Sequence, residues 1–467
     1  MMQEKLHFYY TNDLHSNFDH WPRVAGYLKA AKAMKEAENK SCLLFDIGDH
    51  MDRVHPVSEA FMGKANVALM NDVGYDVVTL GNNEGITLSH EDLDHLYDDA
   101  HFQVVCANLK SLTNDTPHWL KPSVKMTTKH GVTIGVIGLT APFNAFYHLL
   151  DWHVDYAFET LDRHINELKK SSDIIVLLSH LGLNEDRQIA SRYEDIDVII
   201  GGHTHHLLRT EEVVNQTILT AAGKNCQYIG EVILTWDHKN KELINKEAYT
   251  TEVTHLAKDL PTAQKLDEYN EEADKMLGKE IAYIHHPLKV KWFENTPIMV
   301  ELTHTLKEWT KADCAMLNSG LLLDEFSPGM ITYKDVHRIC PHPVNPCVVE
   351  LSGDELLEVV RASFTKELME LKLQGFGFRG EVIGRMVFSG LEIETVIQSN
   401  GHEYVKNVHL EGKPLNDEQT YTVAIADIFT FGRLLPEIAK STRKDYFLPE
   451  FMRDLLAFTI KRKFSDH

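Results

Sequence analysis

The feature that most constrains this chain is a repeated pattern in which a short apolar run ends in Asp, Asn or His. The runs are LHFYYTNDLH, CLLFDIGDH, DVVTLGNNE, DIIVLLSH and DVIIGGHTH, and amphipathic segments separate several of them. This alternation predicts buried strands in a layered α/β domain with paired sheets flanked by helices. We expect the polar residues at the strand ends to meet at one sheet edge. They are Asp13, His15, Asp49, Asn82, His180, His203 and His205.

The length of 467 residues fits two or three domains. The α/β alternation ends near residue 255, and the polar segment PTAQKLDEYNEEADKMLG predicts a connecting helix that ends in glycine. A helix over 299–310 and several strands follow it. We therefore predict an α/β domain over 1–255, a linker helix over 256–280, and a smaller α+β domain over 281–467.

The composition predicts a globular protein that avoids nucleic acid. The formal net charge is −22, from 47 basic and 69 acidic residues, so the surface repels a phosphodiester backbone. No apolar run is long enough to span a membrane, and the N-terminus has no secretory leader pattern. The six cysteines have no CxxC spacing. We expect a cytoplasmic protein with reduced thiols and no membrane partner.

The candidate ligands predict a site for two metal ions. Asp13 and His15 are spaced i, i+2 after a strand, and His203 and His205 repeat that spacing after two glycines. Carboxylate oxygens mixed with imidazole nitrogens suit manganese, zinc, iron or cobalt better than calcium, and magnesium is also admitted. Asp49 is the best candidate for a bridging carboxylate. Each residue alone is ordinary at a strand end, but the ordered set favours a hydrolytic metalloenzyme.

The motifs carry a family resemblance over nearly the whole chain. TNDLH, DIGD, GNNE, SHLG and GGHTH, in this order, resemble the calcineurin-like metallophosphoesterases. LNSG, ITYKDV, VELSGDEL and VFSGLEIE resemble the C-terminal domain of the 5′-nucleotidase family. The resemblance implies a four-layer α/β/β/α sandwich, followed by a substrate-specificity domain. It also implies hydrolysis of a nucleotide or nucleotide-like phosphate ester by a metal-activated hydroxide.

The resemblance further implies how seven side chains divide between two ions. One ion would be held by Asp13, His15, Asp49 and His205. The other would be held by Asp49, Asn82, His180 and His203.

One departure from the family pattern concerns the proton donor. The family usually reads GNHE, a hydrophobic residue and Asp, whereas this chain has GNNEGI, with Asn83 and Ile86 at the positions of the His and the Asp. An amide donates a hydrogen bond but supplies no proton near pH 7. A missing general acid costs roughly 10²–10⁴-fold in rate, and less when the leaving group is good. We consider His50, Asp52 and His55 as replacements.

A second departure concerns the phosphate-binding arginine. The family tends to place one just after the segment that reads LNSG here, and this chain has leucines at 321–323 instead. Arg379 and Arg385 are the candidates for a replacement. Phe376 and Phe378 are candidates for stacking on a base, and Asn318 is a further candidate for the substrate pocket.

The sequence leaves the substrate and one other functional class open. Phosphomonoesters, cyclic nucleotides and nucleotide-sugar pyrophosphates all fit the motifs. The altered dyad also fits a weakly active, metal-binding ligand sensor. Retention of all seven ligands favours the enzyme.

Overall fold

The computed structural model describes residues 3–113, 116–373, 375, 377–397, 403–432 and 434–464. It divides into two compact units, Met1–Ala273 and Asp274–His467. The division falls inside the helix Leu260–Leu277. The domain limits drawn from the sequence, 1–255, 256–280 and 281–467, stay a prediction.

The first unit alternates strands and helices as the apolar runs predict. Its strands are β1 (Gln3–Thr11), β2 (Ser41–Asp46), β3 (Val77–Val78), β4 (Gln103–Val105), β5 (Leu109–Ser111), β6 (Leu120–Lys121), β7 (Ser123–Thr127), β8 (Thr133–Thr140), β9 (Trp152–Val154), β10 (Ile174–His180), β11 (Val198–Gly201), β12 (Glu212–Val214), β13 (Thr217–Thr220), β14 (Tyr228–Asp237) and β15 (Glu242–Glu252). Its helices are α1 (Trp21–Ala37), α2 (Pro56–Phe61), α3 (Lys64–Val73), α4 (Asn82–Thr87), α5 (His90–Asp94), α6 (Asn144–Tyr147), α7 (Ala157–Ser171) and α8 (Leu183–Arg192), and α9 (Leu260–Leu277) crosses into the second unit.

Two sheets form the centre of the first unit. One has the strand order β15-β14-β1-β2-β3-β4-β6, and the other has the order β12-β13-β11-β10-β8-β7. Apolar side chains of both sheets share one core cluster, which includes Phe8, Phe45, Val136 and Val176. Strand β10 reads IIVLLSH and is buried along its whole length, as expected for a strand covered on both faces.

Helices cover the outer faces of these sheets. On one side α1 buries Trp21, Val24 and Leu28, and on the other side α7 and α8 pack Leu161 and Ile189 onto the second sheet. The layers are therefore helix, sheet, sheet and helix, which confirms the predicted four-layer fold.

The parallel pairings bring the strand ends together. Strand β1 pairs in parallel with β2, with Thr11 opposite Asp46. Strand β10 pairs in parallel with both β8 and β11, with His180 opposite Thr140. Because neighbouring parallel strands end at the same edge of a sheet, the loops that follow them converge there.

The second unit is a mixture of short sheets and helices, which confirms the predicted α+β class. Its strands are β16 (Glu280–Ile284), β17 (Cys314–Asn318), β18 (Gly329–Thr332), β19 (Pro346–Ser352), β20 (Met386–Ser389), β21 (Leu391–Ile397), β22 (Glu403–Leu410), β23 (Lys413–Pro414), β24 (Thr420–Ala426) and β25 (Lys444–Tyr446). Its helices are α10 (Pro297–Thr310), α11 (Tyr333–Ile339), α12 (Gly353–Ser363), α13 (Lys366–Met369), α14 (Pro436–Lys440) and α15 (Met452–Phe464). The largest sheet has the order β20-β17-β24-β19-β25.

Three short 3₁₀ helices lie in the described part of the chain, at His148–Leu150, Ser319–Leu321 and Asp427–Thr430. Within the described ranges, no helix combines the length and the apolar character that crossing a bilayer requires.

Candidate metal centre

Three neighbouring strands of the first sheet deliver the first set of candidate ligands. The loop after β1 runs beside the loop after β2, because the Asp13 N–H donates to Gly48 O at 3.1 Å and the His15 N–H donates to Asp49 O at 2.8 Å. Strand β3 leads into α4, which begins at Asn82. The Asn83 N–H donates to Asp49 Oδ1 at 2.8 Å. These contacts fix the three loops against one another.

The second sheet delivers the three remaining histidines. His180 is the last residue of β10, and β11 ends at Gly201 just before His203. A Cβ on Gly202 would lie 3.1 Å from Asp13 Oδ2 and from His180 Nδ1. Glycine therefore lets this backbone pass close to the candidate ligands. The His203 N–H donates to the Asp13 carboxylate at 3.1 Å, which joins the two sheets at the site.

Five candidate ligands have a left-handed backbone conformation. Their φ angles lie between 50° and 71°, a region that residues other than glycine seldom adopt. Such a conformation costs about 1–3 kcal/mol per residue and persists only where the surroundings impose it. The five are Asp13, His15, Asp49, His203 and His205.

The ligand atoms form two groups. Asp13, His15 and His205 make one group, and Asp49, His180 and His203 make the other. In the first, His205 Nε2 lies 2.9 Å from His15 Nε2 and 3.5 Å from Asp13 Oδ1.

Asp49 lies between these groups. Its Oδ2 lies 3.4 Å from His180 Nε2 and 3.8 Å from His15 Nε2. A carboxylate in that position suits a bridge between two ions.

The chemistry of the donor set fits divalent cations. Oδ1 of Asn82 is buried without a hydrogen-bond partner among the described residues, and a buried polar atom of this kind calls for a ligand. Burial raises the pKa of Asp13. Burial acts the same way on Asp49, but the charges of His180 and His15 hold its pKa below the usual value. Burial lowers the pKa of His203 to about 4, so its ring is neutral at pH 7, as a metal ligand must be.

Comparison with known proteins decides the family. The model of the calcineurin-like phosphoesterase family matches residues 6–207, and that of the 5′-nucleotidase C-terminal domain matches residues 280–433. The chain is 41% identical over 460 residues to the uncharacterized metallophosphoesterase YunD of Bacillus subtilis strain 168, covering 98% of this chain and 100% of that protein. This chain is a calcineurin-like metallophosphoesterase.

More distant relatives extend the likeness to both units of the metallophosphoesterase. This chain is 26% identical to the 5′-nucleotidase of Vibrio vulnificus, and the match covers 90% of this chain and 84% of that protein. A putative 5′-nucleotidase from Staphylococcus aureus, solved in complex with alpha-ketoglutarate, superposes with a TM-score of 0.70 at 19% identity, covering 98% and 97% of the two chains. The NAD nucleotidase of Haemophilus influenzae superposes with a TM-score of 0.69 at 16% identity, covering 99% and 97%. These structural likenesses show the fold.

The metallophosphoesterase is therefore a hydrolase of phosphoric esters that uses two divalent metal ions. Which side chains hold each ion, and which act on the substrate, stay predictions.

Asn83 contacts a candidate ligand in the structure. Its amide nitrogen donates to His15 Nδ1 at 2.8 Å and to Met51 O at 3.3 Å. Of the candidate replacements for the family acid, Asp52 lies closest to the centre, with Oδ2 3.7 Å from His15 Nδ1.

The other two candidate acids have structural partners. His50 is 3% exposed and packs edge-on against Trp21. Burial lowers the pKa of His50 to about 3, so its ring is neutral at pH 7. His55 is the N-cap of α2 and accepts the Val57 N–H at 3.2 Å. These contacts give both histidines a structural role, and their part in proton transfer stays a prediction.

Glu84 anchors the loops of the first sheet. Its carboxylate accepts the backbone N–H groups of Gly81, Asp49 and Met51 at 2.9–3.0 Å. Burial raises the pKa of Glu84 to about 7. Through these three hydrogen bonds, the Glu84 carboxylate connects α4 to the loop that contains Asp49.

The second unit requires corrections to the candidate substrate contacts. Phe378 is 2% exposed and stacks on His342, so its ring cannot receive a base. Arg385 forms two hydrogen bonds with Glu403, at 2.9 and 3.3 Å, and its charge is already balanced. Arg379 is exposed. Phe376 lies outside the described residues.

Asn318 keeps an unused acceptor. Its amide nitrogen donates to Ile383 O at 3.1 Å. Its Oδ1 is buried without a hydrogen-bond partner in the described part of the chain. A buried unsatisfied amide oxygen is compatible with a substrate contact.

Two residues near the metal centre escaped the sequence analysis. Asn12 donates to Asp13 Oδ2 at 2.6 Å and to Gly223 O at 2.7 Å, and so orients the Asp13 carboxylate. Exposed Lys224 follows Gly223. Burial, the charge of His15 and then that of Lys224 lower the pKa of His205 to about 4. In the sequence, Lys224 stands out only as a basic residue within the segment TAAGKNC, which gives no sign that it lies near His205.

Proposed function

We propose that this metallophosphoesterase hydrolyses the phosphate ester of a small nucleotide or nucleotide-like compound, as a 5′-nucleotidase does. The observation that carries the proposal is the pair of ligand groups around Asp49, with both sheets contributing to each side of the centre. Two of the relatives that share both units are named as nucleotidases, which supports a nucleotide substrate.

We assign Asp13, His15, Asp49 and His205 to one ion, and Asp49, Asn82, His180 and His203 to the other. The ligand atoms of each group lie within 4.8 Å of one another, and Asp49 contacts histidines of both groups, which supports this division. Two divalent ions in such a centre supply an activated water and neutralise charge on the phosphoryl oxygens. At His203 and His205 the protein contributes neutral imidazoles, because burial lowers the pKa of each to about 4.

This centre lacks the histidine that protonates the leaving group in the family pattern. Asn83 replaces the family histidine, His50 is buried in the core, and His55 caps a helix. Of the candidate acids, this leaves Asp52, whose Oδ2 lies 3.7 Å from His15 Nδ1. If Asp52 supplies no proton, the rate should depend steeply on how readily the leaving oxygen departs as an anion. Phosphate esters of acidic alcohols and phenols should therefore react fastest.

We retain Asn318 and Arg379 as candidates for substrate contacts in the second unit. Asn318 supports the proposal with its unpartnered Oδ1, and Arg379 supplies a guanidinium that suits a phosphate. Replacement of either by alanine should raise KM and leave metal binding unchanged. An unchanged KM in both variants would remove this pair from the site.

A role in nucleotide catabolism inside the cytoplasm belongs to the same proposal. The six cysteines are free thiols, which suits a reducing compartment. The net charge of −22 argues against nucleic acid as a partner. Fractionation of cells that express the tagged protein would test the location.

The deciding experiment is a hydrolysis screen on metal-stripped protein reloaded with Mn²⁺, Zn²⁺, Co²⁺ or Mg²⁺. The substrates are nucleoside monophosphates, 2′,3′-cyclic nucleotides, nucleotide sugars, dinucleotides and a series of aryl phosphates of graded phenol acidity. Turnover that requires metal and is lost in Asp49→Ala would support the proposal. Metal binding without turnover of any compound would overturn it in favour of a ligand sensor.

A further inference from the structure

The imidazole of His15 has two distinct sides. Its Nε2 faces the candidate metal site, 2.9 Å from His205 Nε2 and 3.8 Å from Asp13 Oδ1. Its Nδ1 faces the other way, toward Asn83 and Asp52. A histidine that binds a cation through Nε2 must carry its proton on Nδ1, and that N–H needs an acceptor.

Asp52 has the chemistry of that acceptor. It is 2% exposed, and its Oδ2 lies 3.7 Å from His15 Nδ1. The carboxylate is held in place because Oδ1 accepts the Val54 N–H at 3.0 Å and the Asp52 N–H donates to Ser16 Oγ at 2.8 Å. An ionised carboxylate only accepts hydrogen bonds, so Asp52 favours the tautomer of His15 that can bind metal.

Asn83 has the opposite chemistry. Its amide nitrogen lies 2.8 Å from His15 Nδ1 and 3.3 Å from Met51 O, while its Oδ1 lies 3.4 Å from the Asn82 amide nitrogen. The carbonyl of Met51 accepts only, so these neighbours orient the NH₂ group of Asn83 toward His15. A donor at Nδ1 favours the tautomer with its proton on Nε2, which cannot bind a cation.

We propose that Asp52 is a positioning residue that selects the metal-binding tautomer of His15, and that the Asn83 amide opposes it by stabilising the metal-free ring. The two tautomers have the same charge, so hydrogen bonding at the two ring nitrogens sets the choice between them, and Asp52 and Asn83 act on that choice at Nδ1. The inference rests on the ligand assignment proposed above for His15.

Two substitutions should therefore change metal affinity in opposite directions. Asp52→Asn keeps an oxygen for the Val54 N–H but loses the carboxylate at Nδ1, and we expect the ion at His15 to bind about 10–100-fold more weakly. Asn83→Ala removes the competing donor. We expect the same ion to bind about fivefold more tightly, the factor that corresponds to one net hydrogen bond.

The experiment is a calorimetric titration of the chelator-stripped full-length protein with Mn²⁺. The ion at the Asp49, His180 and His203 group should bind unchanged in Asp52→Asn and is the internal control for that variant. Asp162→Asn is the matched control, because this exposed carboxylate pairs with Arg192 outside the centre. Asp52→Glu retains a carboxylate and should recover part of the affinity.

The sign of the two effects decides the outcome. Opposite shifts in the affinity of the ion at His15 would support the proposal. Unchanged binding of both ions in Asp52→Asn, or weaker binding in Asn83→Ala, would overturn it. If circular dichroism shows that Asp52→Asn is unfolded, the Asn83→Ala titration decides alone. The readout needs no substrate, so an inactive protein with this affinity pattern would overturn only the proposed reaction.

Discussion

The phenol of Tyr147 occupies the space that a side chain at Gly85 would need. A Cβ on Gly85 would lie 2.1 Å from the Tyr147 hydroxyl oxygen and 2.5 Å from Cε1. The family pattern places a hydrophobic residue after GNHE, at the position of Gly85. In this chain Tyr147 from α6 fills that volume instead. The altered GNNEGI segment is therefore well packed and leaves no cavity at Gly85.

The first prediction tests this contact. Gly85→Ala should destabilise the protein by about 1–3 kcal/mol, because the ring must move to admit one carbon. Adding Tyr147→Leu should make the cost of Gly85→Ala smaller, since the two positions are in contact. Urea unfolding followed by circular dichroism measures both. If the free energy of unfolding of Gly85→Ala lies within about 0.5 kcal/mol of the wild-type value, the contact is easily relaxed.

The second prediction separates a structural role of His55 from a catalytic one. Because His55 caps α2 through the Val57 N–H, His55→Ala should lower the free energy of unfolding by about 1 kcal/mol. His55→Asn supplies another capping side chain and should recover most of that loss. The turnover number of both variants should equal that of wild type. A large loss of turnover in the asparagine variant would support a part for His55 in proton transfer.

The third prediction concerns metal and stability. An ion that binds only the folded protein stabilises it by about 2.7 kcal/mol at a concentration 100 times its Kd. Mn²⁺ should therefore raise the Tm, and a chelator should reverse the shift. In Asp49→Asn the shift should be largely lost, because Asp49 lies between both groups. Scanning fluorimetry measures this, and an unchanged wild-type Tm would contradict the metal centre.

The fourth prediction concerns acid stability of the second unit. His342 donates from Nε2 to Leu321 O and accepts the Arg379 N–H at Nδ1, and burial lowers the pKa of His342 to about 4. The unfolded chain takes up a proton near pH 6.5, and the folded one does so only near pH 4. The contribution of His342 is complete above pH 6.5 and falls as the pH drops toward 4.

The size of this effect follows from the pKa difference. Wild type should lose about 2 kcal/mol more stability than His342→Gln between pH 7 and pH 5. Glutamine preserves one donor and one acceptor, which makes the comparison a matched one. Urea titrations at the two pH values measure the difference. Equal losses in the two proteins would show that His342 is not the acid-sensitive group.

The strand ends were predictable because parallel pairing forces them to one edge. Asp13 and Asp49 follow directly from that rule, because β1 and β2 pair in parallel. His180 ends a strand of the other sheet, and only the structure shows that it lies 4.0 Å from Asp13. The helices Pro56–Phe61 and Lys64–Val73 were not predicted, since each is short and Gly63 separates them. Their absence from the prediction left His55 in an apparent loop and suggested a catalytic role.

Other side chains depend on contacts far apart in sequence. Phe378 stacks on His342 and Arg385 pairs with Glu403, and neither partner is visible from the motif GFGFRG. Asn12 acts through Gly223, which lies 211 residues away. Composition and spacing find residues that share a strand end, but they do not find the long-range partners that orient or neutralise them.

The left-handed backbone at five candidate ligands has a consequence for evolution. A lineage that lost the metal would keep unfavourable φ angles at positions 13, 15, 49, 203 and 205 with no function to retain them. Drift would then favour glycine there, because glycine adopts φ above zero without penalty. This chain has an aspartate or histidine at all five. Related sequences with glycine at these positions should therefore be proteins that have lost the metal and the activity.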